Sequence, residues 1–472
     1  MPNPQTLAMT ASAQADAMTI PAPPLSKRPR RAGPFGRSHG RTMGEARTDR
    51  KPFPLPLFLL LFSLQIPWII PLGPVRLTPY RIVLLLLVPL LLYRWWSGGA
   101  GRKRMTDIAL LLLCIWAGVA MVAVHGVDFS VEPVGIFFIE TMGGFLVARC
   151  YIRDEDTFYR TVRMLFIITV ILLPFALIES VTGRNLIMQA FRMVLPTYGD
   201  AGMPLRWGLN RAQVNLLHPI HFGLTIGCTL TLTWLVLGYG KPLFNRLMKA
   251  GLVFFTSFLS LSSGPLTSVV AQIGLMVWNR VFARVPMKWG LMAAGGVTLF
   301  ILTELFANRS LAVILISLFA FDEHSAYIRT LTWQYGTESI LNHPLWGTGL
   351  GMWEKPDWLT ESIDMYWIIN AVRHGILGGV LTFAAFIPAL YQIGRKPLSD
   401  EKLKAYRAAY MYTMASFFIA GWAVHYWEST YILFVFLLGS GFWILDCEEP
   451  PAVDKRRARN RPRRPSRSTT NS

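Results

Sequence analysis

The strongest constraint on the fold is a series of apolar runs, each long enough to cross a bilayer as a helix. Crossing a hydrocarbon core of ~30 Å takes about 17–25 residues. Backbone groups in hydrocarbon must bond within their own segment, so such runs predict helices. The sequence therefore predicts an all-α polytopic membrane protein with about 12 transmembrane helices, at about 55–73, 78–96, 106–125, 133–152, 163–181, 213–238, 247–262, 265–282, 288–306, 366–392, 406–425 and 428–446.

Composition supports a membrane protein. Hydrophobic residues make up 53% of the 472 residues and charged residues only 15%, yet the net charge is +19. An average soluble domain has roughly 25% charged residues. This balance excludes an ordinary cytosolic enzyme and argues against a nucleic-acid partner.

The two ends of the chain hold most of the excess positive charge. Residues 1–51 and 447–472 are rich in Pro, Ser and Arg and carry seventeen Lys and Arg against six Asp and Glu. Without an apolar period they are predicted to be disordered tails, 1–53 and 447–472, flanking a membrane domain at 54–446. The tails are interpreted as a topology signal that lies next to membrane lipids. The alternative is that they bind anionic headgroups or RNA.

Twelve crossings would place both tails on one side, and the positive-inside rule makes that side cytoplasmic. Two larger loops, 182–212 and 307–365, then face the periplasm. The four cysteines form no CxxC pair. No disulfide framework, metal site or cofactor is therefore predicted.

Both outer loops contain more arginine than translocated loops usually do. Arg184 and Arg192 are interpreted as neighbours of lipid headgroups. For Arg206, Arg211 and Arg329, a structural role and an anion site are equally open. An arginine fork suits a phosphate held in a bidentate pair.

Three segments could carry chemistry. In the first, Arg211 precedes His218-Pro219, where His218 is either a substrate-binding base or a residue that starts a helix. In the second, Arg329 and Trp333 share one face of a predicted amphipathic helix. The Gly347-Thr-Gly349-Leu-Gly351 string that follows is a turn rather than a nucleotide site, since no strand precedes it.

The third segment runs from Ser362 to Gly379. Asp364, Trp367 and, more loosely, Asn370 and Arg373 recur at helical spacing and predict a polar stripe that enters an apolar span, with His374 beside it. Ionisable groups at such a place are functional candidates. A local ion pair between Asp364 and Arg373 is the structural alternative.

Together these segments resemble the O-antigen ligase and Wzy-type polysaccharide polymerase family. The resemblance covers about 179–385 and rests on the order of its elements, which are Glu179-Ser-Val-Thr182-Gly183, Arg211 with His218-Pro219, Leu259-Ser-Leu-Ser-Ser-Gly264, Arg329 with Trp333, Asn342-His343-Pro344-Leu-Trp-Gly347-Thr-Gly349-Leu-Gly351 and Gly375-Ile-Leu-Gly378.

The resemblance implies a metal-independent glycosyltransferase of the bacterial inner membrane, acting at the periplasmic face on glycan linked to undecaprenyl diphosphate. In the ligases of this family, arginines contact the diphosphate. From this and from the chemistry of the residues themselves, we predict catalytic roles for Arg211, Arg329 and Asp364 and substrate binding by Arg206, His218, Arg373 and His374. A chain-length regulator and a flippase are the protein partners that the resemblance suggests.

The acceptor separates the two activities of this family. A polymerase uses another lipid-linked repeat unit of O-antigen, capsule or exopolysaccharide, and a ligase uses lipid A core. The ligases have a histidine where this sequence has Asp364, which favours the polymerase. A transporter of an anionic solute is the alternative from another class, but its ionisable groups should lie near the bilayer midplane.

Overall fold

A computed structural model describes residues 52–73, 75–307, 314 and 323–448. The predicted tails at 1–53 and 447–472 lie almost wholly outside these residues, as does part of the predicted loop at 307–365. The described chain is mostly helical. Its α-helices are α1 (Leu55–Ser63), α2 (Pro79–Trp96), α3 (Met105–His125), α4 (Val127–Phe138), α5 (Gly144–Tyr151), α6 (Glu155–Thr182), α7 (Leu186–Arg192), α8 (Pro219–Gly227), α9 (Leu230–Leu232), α10 (Leu243–Phe258), α11 (Ser263–Val281), α12 (Lys288–Phe306), α13 (Glu323–Asn342), α14 (Tyr366–Arg395), α15 (Glu401–Ala420), α16 (Glu428–Gly439) and α17 (Trp443–Asp446).

Within the described residues, eight helical segments are long and apolar enough to cross a membrane. Two of them continue through π-helical turns at Ile139–Gly143 and Thr233–Leu237. The fold is consistent with an all-α membrane protein, but the count of twelve is not confirmed. Helices α10, α11 and α15 cover three further predicted runs and fall outside these eight.

The first predicted run, 55–73, is not a single helix. Helix α1 ends at Ser63, and β1 (Ile70–Leu72) then pairs antiparallel with β2 (Val75–Leu77). Prolines at 67 and 71 explain the difference, because each removes a backbone donor and disfavours helix in the residue before it. Apart from this hairpin and two isolated bridges, the regular secondary structure of the described residues is therefore helical.

The connections meet at two ends of the helices. At one, here the site end, the loop after α7 contacts the 259–263 turn, and the His125 ring accepts a bond from Leu350 N at 3.0 Å. At the opposite end, Lys402 pairs with Glu155 at 3.1 Å and Lys396 Nζ donates to Leu445 O. Connections at two opposite ends are expected of helices that cross a membrane in alternating directions.

A buried ion-pair network closes the opposite end. The Arg149 guanidinium, 1% exposed, bonds to Asp107 at 3.2 Å and lies 3.7 Å from Asp446. Asp446 also pairs with Arg104 at 2.6 Å and with Arg153 at 3.0 Å. Arg149 further donates to two carbonyls of the connection between α2 and α3. The last helix is thus tied to α3 and α5.

Helix α14 is two helical segments joined by a reversal. His374 (φ −127°, ψ 18°) and Gly375 (φ 71°, ψ 179°) are not helical. The Asn370 amide donates to Thr382 Oγ1 at 2.9 Å, and the Trp367 and Phe386 rings lie 4.9 Å apart. Residues twelve apart in one helix would be separated by about 18 Å. The segment before Gly375 therefore folds back on the segment after it.

The glycine string at 347–351 holds this reversal. Thr348 N and Gly349 N donate to the carbonyls of Val372 and Arg373 at 2.8 and 3.0 Å. Gly347 and Gly349 have φ of 69° and 61°. The string is thus a turn with unusual backbone angles, as predicted, and it bonds to the chain that ends the first helical segment.

Candidate functional site

Three predicted arginines converge on one turn between α10 and α11. Arg206 donates to Leu261 O at 2.8 Å, Arg211 donates to Ser262 Oγ at 2.8 Å, and Arg329 donates to Ser263 Oγ at 3.4 Å. Arg206 and Arg211 follow α7, whereas Arg329 belongs to α13. The fold therefore gathers cations from distant loops into one place, here called the arginine cluster (Arg206, Arg211, Arg329).

Glu179, at the end of α6, positions the segment that carries Arg211. Its carboxylate accepts from Gln213 N at 3.1 Å and Val214 N at 2.8 Å, and from the Asn185 amide at 3.3 Å. Val214 has a φ of 55°, unusual for a β-branched residue. The conformation of residues 211–214 thus depends on the Glu179 carboxylate, which accepts from both backbone N–H groups.

His218 caps helix α8. Its Nδ1 accepts from Ile220 N at 3.1 Å. Burial, followed by the charges of His221 and Arg211, lowers the pKa of His218 to about 3. The ring is therefore neutral at pH 7, with its proton on Nε2 because Nδ1 is an acceptor. Nε2 is then a donor available to a ligand oxygen, and the capping role does not exclude the predicted substrate-binding role.

Two further histidines lie close by: His221 is a neighbour of His218, and His425 is a neighbour of His221. The His218 and His221 ring centroids lie 6.1 Å apart, and His221 Nε2 donates to His425 O at 3.0 Å. Burial, and then the charges of Arg373 and His221, hold the pKa of His425 well below its ordinary value. The three form a neighbouring set, here called the histidine row (His218, His221, His425).

Arg373 and His374 stand at the far end of the histidine row. Among the described residues, the Arg373 side chain makes no hydrogen bond or ion pair. Its charge acts on His425 and His374. The buried Nδ1 atoms of His374, His425 and His221 also have no bonding partner in this part of the chain. The Arg373 cation suits an anionic ligand, whereas His221 Nδ1, an acceptor because Nε2 donates to His425 O, suits a hydroxyl group of that ligand.

Asp364 lies in the loop before α14, which corrects one prediction. The expected stripe of Asp364, Trp367 and Arg373 on one helix is wrong, because α14 begins at Tyr366 and reverses at Gly375. The Ser362 hydroxyl donates to Asp364 Oδ1 at 2.6 Å. Burial raises the pKa of Asp364, although the Ser362 bond and the Arg329 charge oppose the rise. Asp364 is thus a neighbour of Arg329, and the alternative ion pair with Arg373 does not form.

The structure brings the predicted residues together through residues that sequence reasoning missed. Arg211 neighbours His218, and His221 and His425 connect His218 to Arg373. No group of three metal-binding side chains occurs in the described ranges. His221 follows His218 by three residues, one helical turn, and that spacing was the available signal. The approach of His425 depends on the tertiary fold.

The fold and site define a mostly helical protein, consistent with a membrane protein, that has a cationic, histidine-lined site at one end of its helices. No protein-family model matches the chain, and a search of curated proteins finds no match.

Proposed function

We propose that the protein polymerises undecaprenyl-diphosphate-linked oligosaccharide repeat units into O-antigen, capsule or exopolysaccharide. The observation that carries the proposal is the convergence of Arg206, Arg211 and Arg329 on one turn, together with Arg373 at the far end of the histidine row, whose side chain makes no hydrogen bond or ion pair among the described residues. Guanidinium groups bind diphosphate oxygens through paired, charge-assisted bonds.

Glycosyl transfer would then proceed by direct displacement. The acceptor hydroxyl attacks the anomeric carbon, and the bond to the diphosphate oxygen breaks with its electron pair passing to that oxygen. Arg211 and Arg329 stabilise the developing charge, assisted by Arg206 and Arg373. Removing one such donor costs about 3 kcal/mol in comparable oxyanion sites.

Asp364 would accept the proton of the acceptor hydroxyl. Burial raises its pKa, which increases its strength as a base, while Arg329 favours its ionised form. The histidine row supplies neutral donors, among them His218 Nε2, to sugar or phosphate oxygens. His374 lies beside Arg373 and would bind substrate with it.

We further propose that the protein resides in a bacterial inner membrane with both termini cytoplasmic and the site end periplasmic. The basic connections at the opposite end support this orientation through the positive-inside rule. Membrane lipids, a flippase that supplies the lipid-linked unit and a chain-length regulator are the partners that this reaction requires. No nucleic-acid partner is proposed.

The test compares lipid-linked glycan in host cells that lack the gene or carry Arg211→Ala. We expect single repeat units to accumulate in both, with long chains restored by the wild-type gene. A rate loss of about 10²–10³-fold is expected for the variant. Arg184→Ala is the matched control, since Arg184 is exposed in the same segment and its side chain makes no bond in the described structure. Purified protein should retain activity in a chelator.

The other functions predict different results. Long chains that stay on the carrier and never reach lipid A would identify a ligase. Unchanged glycan in the deletion, combined with substrate-dependent labelling of mid-span cysteines from both sides, would indicate a transporter. Full activity of Arg211→Ala at normal membrane abundance would remove that residue from the mechanism.

A further inference from the structure

A cavity lies at the opposite end of the protein, away from the candidate site. Its volume is about 960 Å³, near the upper end of ligand pockets. It lies among α10, α11, α12, α14 and α15. Five basic and one acidic side chain line it, namely Arg246, Lys288, Arg395, Lys404, Arg407 and Glu401. We call it the basic cavity.

Three of these cations make no ion pair or hydrogen bond through their side chains in the described structure: Arg246, Lys288 and Arg395. Arg246 lies over the Trp234 ring at 4.2 Å, and its Nε is buried without a partner. Arg395 lies over Tyr391 at 4.7 Å. Some cations elsewhere at this end are paired, as Lys402 is with Glu155. The basic cavity therefore has positive charge that the described chain does not neutralise.

The remaining wall of the basic cavity is largely apolar, and includes Leu275, Met292, Leu390 and Ala415. No residue of α12 is buried. This helix contacts its neighbours through the Trp289 and Tyr412 rings, 6.0 Å apart, and through a bond from Trp278 to Lys288 O at 3.2 Å. A gap beside such a helix would be filled by acyl chains in a bilayer.

We propose that the basic cavity binds one anionic phospholipid of the leaflet at that end. Its phosphate contacts Arg246, Lys288 and Arg395, and an acyl chain lies against the apolar wall. Basic pockets between membrane helices bind anionic headgroups in this way, and charge-assisted bonds to phosphate are strong. The proposal does not depend on the glycan reaction, because it concerns other residues at the other end.

The test measures lipid retention by native mass spectrometry of the purified full-length protein, using phosphatidylglycerol and phosphatidylcholine. The triple variant Arg246→Gln, Lys288→Gln, Arg395→Gln is expected to bind phosphatidylglycerol about 100-fold more weakly, at roughly fivefold for each lost charge. The matched control replaces three exposed cations outside the cavity, Arg102, Arg163 and Arg284, with Gln. The control keeps wild-type affinity, because the charge of the whole protein falls equally in both.

Ala415→Trp tests the apolar wall without changing charge. We expect it to displace the bound lipid while the rest of the protein keeps its thermal stability. Equal phosphatidylglycerol retention by the triple variant and its control would overturn the proposal, as would equal retention of phosphatidylcholine by the wild type. Displacement of the lipid by glycerol phosphate at comparable concentration would identify a free-phosphate site and overturn the lipid assignment.

Discussion

Replacing Glu179 with Gln should loosen the segment that carries Arg211. The carboxylate accepts Gln213 N at one oxygen and Val214 N at the other. A glutamine has only one acceptor oxygen, so its NH₂ group would face one of these N–H donors. Bonds to charged groups contribute about 1.5–3 kcal/mol each. Losing one and weakening the other should cost about 3 kcal/mol, or roughly 100-fold in the opening equilibrium.

Hydrogen exchange at the Gln213 and Val214 amides measures this opening directly. In Glu179→Gln, the Gln213 and Val214 amides should both exchange about 100-fold faster. The Glu179 carboxylate protects both amides in the wild type, and glutamine replaces it with a single acceptor oxygen. Glu132→Gln is the control, since Glu132 is exposed on α4 and should leave exchange unchanged. Wild-type exchange at both amides in Glu179→Gln would refute the argument, whatever happened to activity.

Three further predictions follow from backbone strain, burial and charge. Gly375→Ala should lower the Tm, because a Cβ there meets backbone oxygen at 2.1 Å and φ is 71°, whereas Gly290→Ala, with its nearest neighbour at 3.8 Å, should not. The free energy of unfolding of the wild type should fall as the pH drops from 6.5 towards 3, by up to about 1.4 kcal/mol per pH unit. In this range His218 binds a proton in the unfolded chain but stays neutral in the folded protein, where its pKa is about 3. His218→Asn keeps a capping oxygen and should flatten that part of the profile in thermal melts. Arg373→Met should abolish glycan transfer without lowering the Tm. Arg149→Met should lower the free energy of unfolding by about 3–5 kcal/mol, because the buried Asp107 carboxylate loses its counter-ion.

The sequence predicted the helices well where local signals decide them. Apolar length located the eight helical segments that are long and apolar enough to cross a membrane, and the spacing of Arg329 and Trp333 correctly indicated the helix at Glu323–Asn342. The Gly347–Gly351 string was recognised as a turn because glycine tolerates positive φ. Each of these features depends on the residues nearby in the chain.

The reversal at Gly375 could not be predicted, because the same apolar period fits a straight helix and a folded one. The contacts that distinguish the two join distant segments, among them the bonds from the glycine turn to Val372 and Arg373. Asp364 lies in a loop because α14 begins only at Tyr366. The reversal also accompanies the approach of Arg373 to His425, which connects residues that were predicted to bind substrate.

Arg149 and Arg373 lie at opposite ends of the helices and differ in whether their charge is paired, which indicates different roles. Arg149 is buried and fully engaged, with Asp107 and two carbonyls around it, so its charge serves the fold. Arg373 is half-buried and has neither a counter-ion nor a hydrogen bond in the described structure. An unpaired cation in a partly apolar site stabilises nothing by itself, since desolvation opposes its charge. Such a group is favourable only when an anion enters, and at the site end that anion would be the diphosphate of a lipid carrier.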